Sequence, residues 1–191
     1  KYDVTPTTTV RLNAGRGIRV ANILIENTGF MASSRTFNRL NPQTRSVYGF
    51  NPDKAWNYGL SLSQDFNLNY RPGVFSVDYY FTDFENQVIA DFDHNTHEVT
   101  FFGLRGKSFS HSMQVQLDYQ PIRRLDVRLA YRWLNVQTDY LDGRLDRPLI
   151  PKTRAFVNMA YETKTKWKFD FTVQRIGEQR VPDTSTNPAQ Y

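Results

Sequence analysis

Strict alternation of apolar and polar residues along two long arms joined by a tight turn is the feature that most limits what this chain can fold into. From Trp56 onward, Trp56, Tyr58, Leu60, Leu62, Phe66 and Leu68 share one side, while Asn57, Gly59, Ser61, Ser63, Asp65 and Asn67 share the other. A period of two marks a strand whose faces meet different surroundings. Gln64 alone interrupts the apolar side. The stretch Asn69-Tyr70-Arg71-Pro72-Gly73 reads as the reversal, with Pro fixing one φ and Gly freeing another. Beyond it, Phe75, Val77, Tyr79 and Phe81 alternate with Ser76, Asp78, Tyr80 and Thr82. Strands of soluble sandwiches run about five or six residues, whereas a tilted strand crossing a bilayer needs about nine to eleven. The run from Trp56 to Leu68 exceeds that length. Lipid on one face and water on the other would produce this pattern.

Composition narrows the choice. The chain has 191 residues, 39% of them apolar, with a mean hydropathy of -0.60. No run approaches the roughly eighteen apolar residues of a membrane helix, but a barrel keeps half of every strand polar. Aromatics reach 15%, mostly Phe and Tyr, which suits an interfacial girdle. Without cysteine there is neither a disulfide framework nor a thiolate metal site. The net charge of +5 does not point to nucleic acid, because the basic residues sit in turns and loops and form no stripe along a strand face. No leader peptide opens the chain at Lys1, so the expectation is a processed or interior stretch of a longer protein.

Taken in order, Thr7 to Ala14 reads as a first strand, and Ile23 to Lys54 as a long irregular loop rich in Asn, Arg and Ser. The hairpin follows; its second arm continues through Ile89, with a phase slip near Asp83 read as a bulge at the membrane rim. After a second loop, Asp91 to Lys107, the residues Phe109, His111, Met113, Val115, Leu117 and Tyr119 alternate with Ser110, Ser112, Gln114, Gln116 and Asp118. Pro121 to Arg124 turns the chain back into Leu125, Val127, Leu129, Tyr131 and Trp133. A third loop runs from Asn135 to Lys152. Two more strands follow, marked by Ala155 to Tyr161 and by Trp167 to Val173 around Lys164-Thr165-Lys166. The expected fold is therefore all-β: an antiparallel up-and-down transmembrane β-barrel segment of about seven strands, with long outer loops and short periplasmic turns. An odd number cannot close a bacterial barrel, so this is part of a larger wall. All three short turns are basic, through Arg71, Arg123 with Arg124, and Lys164 with Lys166. These cations either meet anionic headgroups or are ordinary solvated turn residues.

The order and spacing of several pieces carry a resemblance. They are Arg11 to Arg19 at a strand end, Glu26-Asn27 and Ser33-Ser34-Arg35 in the first loop, and Asn51-Pro52-Asp53-Lys54-Ala55-Trp56-Asn57-Tyr58-Gly59. Asp83 to Val88, Arg147 to Arg154 and Lys168-Phe169-Asp170 complete the set. In these the chain resembles the C-terminal barrel portion of TonB-dependent outer-membrane receptors, particularly of Bacteroidetes type. The resemblance implies a Gram-negative outer membrane and a barrel of about 22 strands around a plug. It also implies TonB-driven uptake of a metal chelate, cobalamin or a glycan. Residues 1–191 would be part of a single β-barrel domain, lacking the plug, the TonB box and the closing strands. Its partners would be outer-membrane lipid, the remaining strands and plug, TonB through the missing N-terminal part, and a small nutrient.

On this reading Asn57, Ser61, Asp78, Gln114, Gln116, Asp118, Arg128 and Arg132 line the lumen, where they pack on the plug or touch the ligand. Recognition belongs to the outer loops, including Asn22, Glu26, Asn27 and Arg35. No catalytic residue, metal ligand or cofactor is expected. Asp91, Asp93, His94, Asn95 and His97 start like a calcium loop, but Thr96 stands where Gly is needed and Phe102 where Glu is needed. His111 faces outward while Ser110 and Ser112 face inward, so no base meets a nucleophile. Gly15-Arg16-Gly17 lacks the third glycine and the helix of a dinucleotide loop. Two rivals stay open at this point: a soluble β-sandwich carbohydrate-binding module, and a small structural barrel. A sandwich would cover Trp56, Leu60, Met113, Val115, Leu129 and Trp167 with a second sheet.

Overall fold

The computed structural model describes residues 2–31, 33–40 and 47–182. In chain order the strands are β1 (Tyr2–Thr5), β2 (Thr8–Arg19), β3 (Thr36–Arg39), β4 (Asp53–Leu68), β5 (Arg71–Asn86) and β6 (Val88–Asp91). They continue with β7 (Glu98–Gly103), β8 (Ser108–Ile122), β9 (Leu125–Tyr140), β10 (Gly143–Asp146), β11 (Thr153–Glu162) and β12 (Lys168–Ile176). One large sheet runs β1-β2-β4-β5-β8-β9-β11-β12, with β10 folded back on β9. Every pairing in it is antiparallel. The expected seven strands are β2, β4, β5, β8, β9, β11 and β12. β1 adds an edge that four residues of alternation were too few to announce. Among the described residues the sheet does not close, since β1 and β12 each pair on one side only.

Register carries the sequence pattern across the wall. Leu62 stands opposite Val77, Val77 opposite Val115, and Val115 opposite Tyr131. One face is thus a continuous apolar field. No described residue covers it: Leu12 is 74% and Leu60 46% exposed, and Trp56, Met113, Leu129 and Trp167 are also exposed. Val115 is half-buried among its own neighbours. A sandwich is excluded by this single layer, because leaving so many large side chains in water forfeits about 1.5–3 kcal/mol apiece.

The first hairpin turn corrects one expectation. Asn69 and Tyr70 both adopt positive φ, 52° and 58°, and Leu68 pairs directly with Arg71. That two-residue turn has the hand that suits twisted strands. Pro72 and Gly73 lie inside β5, opposite Asn67 and Phe66. Gly73 is needed there because the Phe66 ring occupies the space a Cβ would take.

The loops also differ from expectation. Instead of remaining irregular, parts of the first two fold into a second sheet, β3-β7-β6. β3 pairs with β7 in parallel, and β6 with β7 antiparallel. Ile23, Phe50, Phe92, Val99 and Phe101 form one buried cluster, and Ile89, Phe102 and Tyr140 a second. Among the described residues every buried apolar side chain outside glycine belongs to this end of the molecule. β9 also runs on to Tyr140, where a loop was expected from Asn135. The irregularity read near Asp83 lies slightly higher: Asp83 pairs in phase with Trp56, and the register shifts between Lys54 and Ala55.

Candidate functional site

Two surfaces collect the polar side chains singled out from the sequence. On the polar face of the wall, Ser61, Asp78, Gln114 and Arg132 stand opposite one another on four successive strands. Arg11 and Arg154 extend the same row at its two ends. Asp118 lies beside Arg128, whose Nε donates to Oδ1 at 2.5 Å, and Gln116 Nε2 donates to Oδ2 at 2.6 Å. Asn57 stands apart from these and donates to Thr82 Oγ1 at 2.8 Å. Asp78, Tyr80, Ser112, Gln114 and Arg132 border a shallow recess of about 310 Å3. The alternation places all these residues on one face, with Asn57 four residues from Ser61 along β4. Gly59 belongs to this face too, with Asn13 and the Tyr80 ring where its Cβ would be.

The second surface is the capped rim. Here Asn22 closes a 3-10 turn, Ile25–Asn27, by accepting from Ile25 N and Tyr48 Oη through Oδ1. Glu26 accepts from Asn22 N and from Arg19, and Asn27 Nδ2 donates to the Ile23 carbonyl. Arg35 lies elsewhere, donating to the Phe92 carbonyl at 3.2 Å. Of the four loop residues expected to meet a ligand, Glu26 and Asn27 therefore line a recess of about 180 Å3, and Asn22 and Arg35 do not. The floor is apolar, from Ile23, Ile89, Phe92 and Phe101, and the polar walls add Gln87, Thr138, Tyr140 and Arg147. Sequence reasoning missed these four.

Two of them belong to a buried polar chain. Ser108 Oγ donates to Gln87 Oε1 at 2.7 Å and lies 3.0 Å from Thr138 Oγ1. Gln87 is 8% exposed, and hydrogen bonding by its Oε1 holds the amide in one orientation.

The residues weighed as a cation loop are engaged in other ways. Asp91, 1% exposed, accepts from Asp93 N, His94 N and Leu141 N, so its carboxylate pins the turn to the end of β9. Asp93 receives a two-pronged bond from Arg180 at 2.9 and 2.8 Å. The same guanidinium donates to the Asp146 carbonyl and lies 5.7 Å from the Tyr140 ring centre. Arg180 thereby ties the stretch after β12 to three other segments. His94 lies 3.0 Å from Asp142, whose hydrogen bond and charge raise the imidazole pKa above its ordinary 6.5. On the apolar face, His111 Nδ1 meets Tyr79 Oη at 2.7 Å and its ring stacks on Phe81. It faces no serine.

No curated protein matches the chain. All of it, residues 1–191, matches the family described as TonB dependent receptor-like, beta-barrel. The uncovered antiparallel wall agrees with that match, and the chain belongs to the TonB-dependent receptor β-barrel family.

Proposed function

We propose that these residues form part of a single outer-membrane β-barrel domain that imports a scarce nutrient, a metal chelate, cobalamin or a glycan, on energy delivered through TonB. The chain acts as a transporter wall and catalyses no reaction. The observation that carries this reading is the division of the molecule: apolar side chains are uncovered all over the wall, while the buried ones gather at one rim. In lipid the open edges of β1 and β12 are untenable without partners, so further strands continue the wall and a plug fills its interior.

The row Ser61, Asp78, Gln114 and Arg132, with Asn57, Gln116, Asp118 and Arg128, faces that interior and hydrogen-bonds to the plug. The capped rim faces outward and meets the nutrient. Glu26, Asn27, Gln87 and Arg147 make the contacts, while Asn22 and Arg35 hold the loop in place. The support is local chemistry: an apolar floor with a few convergent polar groups is the usual form of a small-molecule site.

Fractionation of cells making the intact polypeptide tests the membrane reading, with recovery in the outer membrane and only in detergent expected. A monomer soluble and cooperatively folded without detergent overturns it. Growth on single candidate nutrients, with and without the intact gene, then separates chelate, cobalamin and glycan.

A further inference from the structure

Ion pairing differs sharply between the two rims. At the loop rim Arg16 meets Glu85 at 2.6 Å, Arg19 meets Asp53 at 2.8 Å, Arg144 meets Asp139 at 2.7 Å and Lys152 meets Asp146 at 2.6 Å. Towards the turn rim the described residues form two such pairs, Arg128 with Asp118 at 2.5 Å on the polar face and Lys168 with Glu162 at 4.0 Å, and neither involves a cation of the turns themselves. Arg71, Arg123, Arg124, Lys164 and Lys166 stand there on three successive turns, and among the described residues none has a carboxylate within 4.0 Å. Two neighbouring turns bring Arg71, Arg123 and Arg124 to the border of one recess of about 740 Å3.

Carboxylates do share that recess. Asp126, Glu162 and Asp170 line it as well, but each already has a partner. Asp126 accepts from Gln120, Asp170 from Asn158 and Thr172, and Glu162 faces Lys168. Register sets the signs apart further. Asp126 and Asp170 flank Ala160 on the polar face, whereas Arg71 pairs with Leu68 on the apolar one.

The surroundings of these cations are those of a membrane boundary. Tyr70 is fully exposed, Trp167 is 69% exposed, and Leu68, Ile122 and Phe169 are also open. Aromatic rings beside cations, immediately below an apolar field, are the residues that settle at headgroup depth. A solvated turn explains the lysines and arginines alone; it does not explain why, among the described residues, none of the five is ion-paired although acids stand nearby, while the opposite rim is laced with pairs.

We infer that the turn rim is a binding surface for anionic phospholipid headgroups, with Arg71, Arg123 and Arg124 at its centre and Lys164 and Lys166 at its flank. The guanidinium groups match phosphate oxygens in two-pronged geometry, and the neighbouring apolar face receives the acyl chains. The inference rests on the membrane reading above, because only a membrane-embedded wall holds this rim at headgroup level.

The test is reconstitution of the intact polypeptide into vesicles of phosphatidylethanolamine with and without phosphatidylglycerol. Extraction in mild detergent and mass spectrometry then count the lipid retained. Each cation near an anionic surface is worth roughly fivefold in partitioning. Phosphatidylglycerol is therefore expected to be enriched several-fold over the bulk. R71Q/R123Q/R124Q should abolish most of that preference and K164Q/K166Q a smaller part, with unchanged heat-modifiable migration showing that each variant folds. Soluble glycerol phosphate should not displace the lipid; displacement at matched concentration would show a phosphate site and overturn the lipid assignment. If the polypeptide never enters bilayers, the membrane reading falls. If it enters and retains both lipids equally, or prefers phosphatidylglycerol undiminished after R71Q/R123Q/R124Q, this inference falls by itself.

Discussion

The wall and the cap are built from the same chain on opposite principles. Wall strands place their apolar side chains on a surface that no described residue covers, as at Leu12, Leu60 and Leu129. The cap does the reverse, burying Val99, Phe101 and Phe102 almost completely. Backbone hydrogen bonds between long antiparallel strands hold the wall in shape, and in the proposed membrane setting lipid supplies the rest. The cap depends on packing, as any water-soluble core does. One region answers to its solvent and the other to its neighbours.

The largest expected effect separates the two directly. Phe101→Ala should cost about 3–5 kcal/mol, because the ring is fully enclosed and leaves a cavity. Hydrogen exchange should show β3, β6 and β7 losing protection while β4, β5 and β8 keep theirs. Equal loss across both would mean that wall and cap fold as one unit.

Next comes the contrast between the two faces of the wall. In a bilayer Leu60→Arg should destabilise by about 2–4 kcal/mol, whereas Ser61→Arg, one residue along and on the opposite face, should stay within about 0.5 kcal/mol. Unfolding from vesicles in urea measures both, and similar costs would mean that the two faces see the same medium.

Arg180→Met sharpens the picture of the cap. It removes the two-pronged contact from the largely buried Asp93 carboxylate, whose side chain is 9% exposed. The cost should be roughly 2 kcal/mol, below that of a fully enclosed pair because part of the guanidinium meets water. Protease cutting within 177–182 should accelerate, and the wall should be unaffected.

The smallest effect is a pH dependence. Asp142 raises the His94 pKa above 6.5 in the folded cap, so this contact stabilises fully below 6.5 and is lost as pH rises through the folded value. His94→Gln should flatten the exchange rate of residues 92–97 across that window. A wild-type profile already flat would remove the contact from the account.

The wall was legible because one face is apolar and the other polar, so alternation in β4, β5 and β8 states the fold without reference to distant residues. Reading failed where that division shifts. Above Trp133 the outward positions become Asn135, Gln137 and Asp139, while Val136, Thr138 and Tyr140 turn toward the cap. Alternation persists there but its polarity inverts, so the strand looked finished. Polarity inverts at Asp83 as well, just below the register shift between Lys54 and Ala55, so the two together read as one slip in phase. Thr138 and Tyr140 of the recess were missed for that reason. Val99 to Phe102 form a short run buried on both faces, with no period to read. Their partner strand β3 sits in another loop, and local sequence holds no trace of that pairing.

β3 comes from the connection between β2 and β4, and it lies alongside β7, which comes from the connection between β5 and β8. Neither connection can therefore be exchanged alone. A descendant that acquires a new outer loop by recombination must take both segments together, or rebuild the shared sheet before it can recognise anything new.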